Sequence, residues 1–226
     1  MDFAQAMHFI SIALLPMLLG IILHEIAHGW VALKMGDPTA RMQGRLTLNP
    51  VAHFDPMGAL FFLFTAFASS AGGFPFILGW AKPVPVNPGH FRNFKQGMLF
   101  VSLAGAAANL LLALFFALGL RLALSFMDIP QHPSPLEHSF LIKACYYGVI
   151  INCTLAWFNL LPIPPLDGSK VLACLLPSWL AGRYLALGRY GFIILVLLLA
   201  TNLLGKVVWP LVRWSADVLF SLVSLI

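Results

Sequence analysis

The chain has 226 residues, of which 60% are hydrophobic and only 9% are charged, and its mean hydropathy is +0.90. This composition excludes an ordinary soluble domain and indicates an integral membrane protein. The net charge of +5 comes from basic residues scattered singly along the chain, which argues against a nucleic-acid partner and is typical of membrane-topology signals.

The first predicted membrane helix, at about residues 7–34, contains the pattern His24-Glu25-Ile26-Ala27-His28. Residues four apart lie on one face of a helix, so His24 and His28 can offer nitrogens to one Zn²⁺ while Glu25 reaches the water it binds. Two core or capping histidines beside a solvated glutamate are the alternative, but ionisable groups are costly in an apolar membrane segment, which favours a metal site. Because the segment lacks a basic start and a cleavage site, we expect it not to be a removed signal peptide.

Residues 41–49, which follow a helix break at Gly36-Asp37-Pro38, alternate polar residues with apolar ones or glycine. A period of two predicts a strand or a short hairpin. An unpaired strand edge would capture an unwound substrate segment by strand addition, so Gly44 and Leu46 are candidate substrate-binding residues.

Further apolar segments lie at about residues 57–80, 97–127, 140–161, 190–204 and 207–226. The first of these is interrupted by glycine and proline and is predicted to be re-entrant or short. We therefore predict an all-α polytopic membrane protein with about five transmembrane helices, a re-entrant or short sixth segment and a small β-strand element near residues 41–49. We expect a single domain over residues 1–226, with a catalytic core at about 7–170 and C-terminal helices at about 185–226.

Lysine and arginine occur in the loops at 34–56, 80–96 and 162–190, whereas the link at 128–139 has none. The positive-inside rule therefore predicts that the three basic loops are cytoplasmic and that the neutral link is external. This requires the segment 57–80 to return to the side from which it starts. It also places the histidine motif near the cytoplasmic side.

Catalytic zinc sites usually have three protein ligands and one open position for water. The candidates for the third ligand are Asp37, His53, Asp55 and Asp167. Asp167 closes a helix that should pack beside the first one, and the prolines before it keep the backbone open, which favours this residue. Asp37 and Asp55 each precede a proline and also fit turn positions, as does the Asp-Gly pair at 167–168.

Four motifs occur in order over roughly residues 20–170. They are His24 to His28, Gly44 to Pro50, Gly79 to Pro88 and Asn159 to Gly168. Together they resemble the site-2 protease family of intramembrane zinc metalloproteases, and four ordered motifs are far more specific than one.

The resemblance implies that His24, His28 and Asp167 bind Zn²⁺ and that Glu25 is the general base. The family commonly carries Gly-Pro-x-x-Asn in the helix between these motifs, whereas here alanine stands at 106 in place of the proline, so we expect a less kinked helix. Asn109 and Asn159 are candidates to donate to the oxyanion or to order water, as is a third asparagine at position 152; hydrogen bonding between helices is the alternative role.

We therefore predict a zinc-dependent intramembrane endopeptidase that cleaves the transmembrane segment of a membrane-protein substrate, in regulated intramembrane proteolysis or in clearance of membrane peptides. Its partners would be the substrate helix and the lipid bilayer. It would be located in the plasma (inner) membrane of a prokaryote. The chain resembles a minimal form without an extracytoplasmic peptide-binding or nucleotide-sensing domain. The alternatives are a zinc-binding membrane transporter, which would usually have repeated halves, and a non-catalytic scaffold, which would tend to lose Glu25.

Overall fold

The computed structural model describes residues 3–70, 79–126 and 140–224, and all regular secondary structure in these ranges is helical. The α-helices there are α1 (Phe3–Met35), α2 (Thr39–Met42), α3 (Pro56–Ser70), α4 (Phe94–Phe126), α5 (Phe140–Asn159), α6 (Asp167–Leu175), α7 (Ser178–Ala186), α8 (Gly191–Ala200) and α9 (Leu203–Ser224). Single 3₁₀ turns occur at Pro50–His53, Pro88–His90 and Leu187–Tyr190.

Four stretches of the described residues are long and apolar enough to cross a membrane: Ile10–Met35, Phe94–Phe126, Phe140–Asn159 and Ser178–Ala200. A helical membrane protein is thus confirmed, but a fifth span is not. The helix α9 has 22 residues, yet its sequence includes Lys206, Arg213 and Asp217, and these charges lower its apolar character.

The prediction of a strand at residues 41–49 is wrong. The short helix α2 ends at Met42, and Gly44 has a φ of +64°, a left-handed conformation that reverses the chain. The Arg45 N–H donates to the carbonyl of Ala40 at 2.9 Å. Because local turn bonds take up these backbone groups, the alternating pattern does not produce a ladder, and the hypothesis that Gly44 and Leu46 form a substrate-binding strand edge loses its basis.

The two ends of the predicted segment 57–80 lie close together. The Lys82 N–H donates to the carbonyl of His53 at 2.9 Å, and a Cβ on Gly58 would lie 2.0 Å from the carbonyl oxygen of Trp80. With 15 residues, α3 is shorter than the ~20 residues that a membrane crossing needs. Residues 71–78, where the glycine and proline interruption falls, lie outside the described residues.

The helices α1, α4 and α5 pack against one another at the centre of the described structure. Their contact is close because small residues line it: a Cβ on Gly20 of α1 would lie 2.5 Å from Asn152 Oδ1 of α5. Glycine and alanine at such positions let membrane helices approach each other. This packing matters for the site, because it brings the face of α1 that carries the two histidines against α4.

Candidate metal centre

Three predicted ligands, His24, His28 and Asp167, come together in one buried cluster. His24 Nε2 lies 2.9 Å from His28 Nε2 and 3.2 Å from Asp167 Oδ2, and the third side of the triangle, from His28 Nε2 to Asp167 Oδ2, is 3.0 Å. Their exposed fractions are 7%, 8% and 7%. The spacing of four residues on α1 thus places both imidazoles on one face, as predicted, and the start of α6 supplies the carboxylate.

Both histidines direct their Nε2 atoms to the centre of this triangle. His24 Nδ1 lies 2.7 Å from Asn109 Oδ1, and His28 Nδ1 lies 2.7 Å from the carbonyl oxygen of Val101. Both neighbours are acceptors, so each Nδ1 carries the proton of a neutral ring and each Nε2 keeps its lone pair. Three acceptor atoms therefore face one another, an arrangement that a cation satisfies.

The donor set fits Zn²⁺ in both chemistry and size. Two imidazole nitrogens and one carboxylate oxygen are common ligands in catalytic zinc sites. With bonds of about 2.0 Å to a tetrahedral ion, neighbouring donor atoms would lie about 3.3 Å apart, which is close to the 2.9–3.2 Å sides observed here. Three protein ligands leave a fourth position for water.

Asn109 holds His24 in place rather than facing open space. Its Oδ1 accepts from His24, and its Nδ2 donates to the carbonyl of Gly20 and to Asn152 Oδ1, each at 3.0 Å. Asn152 in turn donates to the carbonyl of Gly148 at 2.9 Å. Because both neighbours of Nδ2 are acceptors, the network fixes the orientation of the amide, and this chain of bonds ties α1, α4 and α5 together behind the metal site.

The helix α4 provides the space for His24. A Cβ on Gly105 would lie 2.4 to 2.6 Å from three atoms of the His24 ring, so a side chain at this position would displace the imidazole. The neighbouring Ala106 is buried, and α4 is a continuous helix from Phe94 to Phe126.

Asp167 is positioned by the turn that closes α5. A Cβ on Gly168 would lie 2.1 Å from the carbonyl oxygen of Leu160, so only glycine lets the chain turn this closely. Asp167 Oδ1 accepts from Lys170 Nζ at 2.8 Å, which leaves Oδ2 facing the two histidines.

Glu25, the predicted general base, is held by a segment that is distant in sequence. Its Oε2 accepts from the backbone N–H of Val84 at 2.7 Å, and Val84 packs against Gly29, one turn further along α1. The irregular segment 79–87 therefore lies over the end of α1 that carries the site.

Arg45 fixes this segment, and sequence reasoning did not identify its role. Its Nη2 donates to the carbonyls of Lys82 at 2.8 Å and Pro83 at 3.2 Å, and its exposed fraction is 8%. A buried guanidinium that holds two consecutive carbonyls keeps the backbone before Val84 in one conformation. The available signal was an arginine inside the second of the four motifs.

The other candidates for the third ligand have structural partners. Asp55 Oδ1 accepts from the N–H groups of Met57 and Gly58, each at 2.9 Å, and so caps α3. The ring nitrogen His53 Nε2 lies 2.9 Å from the carbonyl oxygen of Thr47. Neither residue belongs to the metal cluster.

Asp37 ties the end of α1 to the segment that follows residue 84. Its carboxylate accepts from the Asn87 N–H at 2.6 Å and from Thr39, and lies 3.0 Å from His90 Nδ1. Burial alone would raise the pKa of Asp37, but the hydrogen bonds from Thr39, His90 and Asn87 outweigh it and hold the pKa below its usual value.

Three other predicted site residues, Asn159, Leu46 and Gly44, lie outside the metal cluster. Asn159 Nδ2 donates to the carbonyl of Leu155 one turn earlier in α5, at 2.9 Å. Leu46 packs beside Gly29 of α1, and Gly44 is exposed at its turn. Roles for these three residues in catalysis or substrate binding therefore gain no support from their contacts.

Comparisons with known proteins agree on a single family. The model of peptidase family M50 matches residues 12–199. YwhC of Bacillus subtilis, whose name describes a zinc metalloprotease, is 36% identical over 214 residues, which cover 94% of this chain and 90% of that protein. Rip2 of Mycolicibacterium smegmatis, whose name describes the same activity, is 34% identical over 200 residues, which cover 88% of this chain and 71% of that protein. No solved structure is a significant match.

Proposed function

Because the chain belongs to peptidase family M50, we propose that this membrane zinc metalloendopeptidase cleaves a peptide bond within the transmembrane segment of a membrane-protein substrate. The membership favours hydrolysis over the alternatives of a zinc transporter and a non-catalytic scaffold. The observation that carries the proposal is the convergence of three buried acceptor atoms, two of which belong to histidines of the apolar span Ile10–Met35.

In this proposal His24, His28 and Asp167 are the metal ligands. Bound zinc supplies a Lewis acid that lowers the pKa of a coordinated water and polarises the scissile carbonyl. Asn109 and the carbonyl of Val101 hold the two imidazoles through their Nδ1 atoms, and Lys170 holds the second carboxylate oxygen of Asp167. Partners of this kind orient metal ligands and raise their basicity.

Glu25 is the proposed general base. It follows the first histidine on α1, and the Val84 N–H binds one of its carboxylate oxygens. It would take a proton from the attacking water and deliver it to the leaving amine, which is the usual task of the glutamate in this motif. The hydrogen bond from Val84 limits the rotation of the carboxylate and so holds it in one orientation.

The depth of the site supports a substrate inside the membrane. His24 lies about 21 Å along the helix axis from Ile10, the start of the first span, at ~1.5 Å per residue. The span ends at Met35, so the site lies below the membrane surface but nearer the end of α1. A substrate helix has its carbonyls hydrogen-bonded within itself, and it must unwind locally before one of them can be attacked.

We further propose that the site opens toward the cytoplasm. The basic loops on either side of α3 meet where the backbone N–H of Lys82 donates to the carbonyl of His53. The positive-inside rule assigns such loops to the cytoplasmic face. Water would reach Glu25 from this end of α1. Regulated proteolysis and clearance of membrane peptides both fit this arrangement.

The proposal is tested with Glu25→Gln, which keeps the size of the side chain but removes the base. Membranes that contain the wild type or this variant are compared for accumulated membrane peptides, and the purified proteins are compared for zinc content. We expect unchanged zinc and a loss of cleavage of about 10²-fold or more. The matched control, Asp55→Asn, lies outside the metal cluster and should cleave like the wild type. Identical peptide profiles for Glu25→Gln and wild type, with zinc bound in both, would overturn the proposal.

A further inference from the structure

The helix α9 has a polar stripe on the side opposite its packed face. The residues buried against the rest of the structure are Leu204, Val208, Val212, Ser215, Ala216 and Val223. This face, here called the polar stripe, has exposed residues spaced 4, 3, 4 and 4 apart that are polar except for one proline: Lys206, Pro210, Arg213, Asp217 and Ser221. On a helix this spacing keeps all of them on one face.

Two contacts with α5 place the middle of this stripe at membrane depth. Trp157 Nε1 donates to Ser215 Oγ at 2.6 Å, and the ring of Tyr146 stacks on that of Phe220 with centroids 5.7 Å apart. Both α5 residues lie inside the apolar span Phe140–Asn159. Asp217 falls between the two contacts along α9, so it lies at the depth of this apolar span, with its side chain exposed.

Charges that face lipid are costly, and in membrane proteins they normally have a partner. Among the residues that the structure describes, neither Arg213 nor Asp217 forms an ion pair. Arg213 lies over the ring of Trp209, 5.4 Å from its centroid, which satisfies part of its charge. Within the part of the chain that the structure describes, the charges of Arg213 and Asp217 thus have no ionic partner.

We propose that two copies of the chain associate through the polar stripe of α9. From Lys206 to Asp217 the residues are spaced 4, 3 and 4 apart. The residues at the contact between two parallel helices of a coiled coil have the same spacing. Two copies inserted in the same direction are related by a two-fold axis along the membrane normal, so their α9 helices run parallel. Arg213 then faces Asp217 of the partner subunit, about 6 Å further along the axis, which a long arginine side chain can span.

A second copy fits this surface better than lipid or an unrelated protein. The polar stripe carries a cation and an anion four residues apart, so it is complementary to itself, and a two-fold axis forms both pairs at once. Lipid tails offer no cation to Asp217. The contact is the kind of polar interaction that associates helices in membranes.

The test exchanges the two charges. Wild type, Arg213→Asp and Asp217→Arg are labelled with donor and acceptor dyes and reconstituted in vesicles, and energy transfer between copies is measured. The wild type should associate, and each variant alone should associate at least tenfold more weakly, because four like charges then meet at the seam. An equimolar mixture of the two variants should recover the association, because each anion again faces a cation.

The matched control is Arg121→Asp, which changes an exposed cation on α4 and should leave association unchanged. Zinc content serves as the measure of folding for every variant, since the metal ligands lie outside α9. A monomeric wild type, association that persists in both single variants, or a mixture of zinc-loaded variants that stays monomeric would each overturn the proposal.

Discussion

Asn109 Oδ1 lies 2.7 Å from His24 Nδ1, and this contact decides which nitrogen of His24 remains for a metal. The acceptor holds the proton on Nδ1 and leaves the lone pair on Nε2, which faces His28 and Asp167. The same amide binds both neighbouring helices. A single buried side chain thus links helix packing to the electronic state of the ligand.

Replacing Asn109 by alanine should weaken zinc binding by about 10-fold to 100-fold, as is typical when a partner of a metal ligand is removed. The imidazole then loses both its orientation and its preferred tautomer. Competition with a chelator measures the affinity directly. Asn159→Ala is the matched control, because Asn159 Nδ2 donates to the carbonyl of Leu155 on its own helix. Equal affinities in the two variants would contradict the role of Asn109.

Gly105→Ala should also disturb the metal site, by steric displacement rather than by loss of a hydrogen bond. The added methyl group would lie within 2.6 Å of the His24 ring, which forces the ring or α4 to move. We expect a clear loss of zinc affinity. In the control, Gly119→Ala on the same helix, the new Cβ would lie 3.4 Å from Cys145 Sγ, an ordinary contact. Zinc binding that is lost equally in both variants would point to general damage to α4.

Arg45→Met should slow cleavage while the protein keeps its zinc. The carbonyls of Lys82 and Pro83 lose their buried donor, so the segment that holds Glu25 through Val84 becomes less rigid. A bond to a charged donor contributes about 1.5–3 kcal/mol, and if most of it serves orientation, the rate falls about 10-fold to 100-fold. Single-turnover cleavage and zinc content are the measurements. The control is Arg41→Met, which changes an exposed arginine of the short helix α2 and should cleave at the wild-type rate.

Asp37 should make the stability of the protein depend on acid pH. Its pKa is lower in the folded state than in the unfolded state, so its contribution is fully present above the unfolded value of about 3.9 and is lost as the pH falls through the folded value. Thermal unfolding of wild type and Asp37→Asn, followed from pH 7 toward pH 3, should show the two midpoints converging at the acid end. A constant difference over this range would exclude the linkage.

The sequence predicts the centre of the site better than its surroundings. The pairing of His24 with His28, the proposed ligands, follows from a helical spacing of four, and the apolar length of the segment predicts the helix. For the proposed third ligand, the sequence favours Asp167 among four candidates without deciding between them, because its place in the cluster depends on where the end of α5 packs.

Two features of the structure show why the surroundings of the site could not be predicted from the sequence. The alternation at residues 41–49 indicates a strand, yet the turn at Gly44 and the bond from Arg45 to Ala40 close the backbone locally. The contact between Glu25 and Val84 joins residues 59 positions apart, and no local pattern encodes such a pairing. Backbone hydrogen bonds within the turn decided the first feature, and a contact between distant segments decided the second.

His24, His28 and Asp167 together are proposed to hold one zinc ion. The most direct test is the zinc content per chain of the purified wild type, Asp167→Ala and Asp37→Ala, measured by mass spectrometry of the metal after dialysis against a weak chelator. We expect one zinc per chain in the wild type and in Asp37→Ala, and a loss of most of the zinc in Asp167→Ala. Full retention of zinc by a folded Asp167→Ala protein would contradict the account.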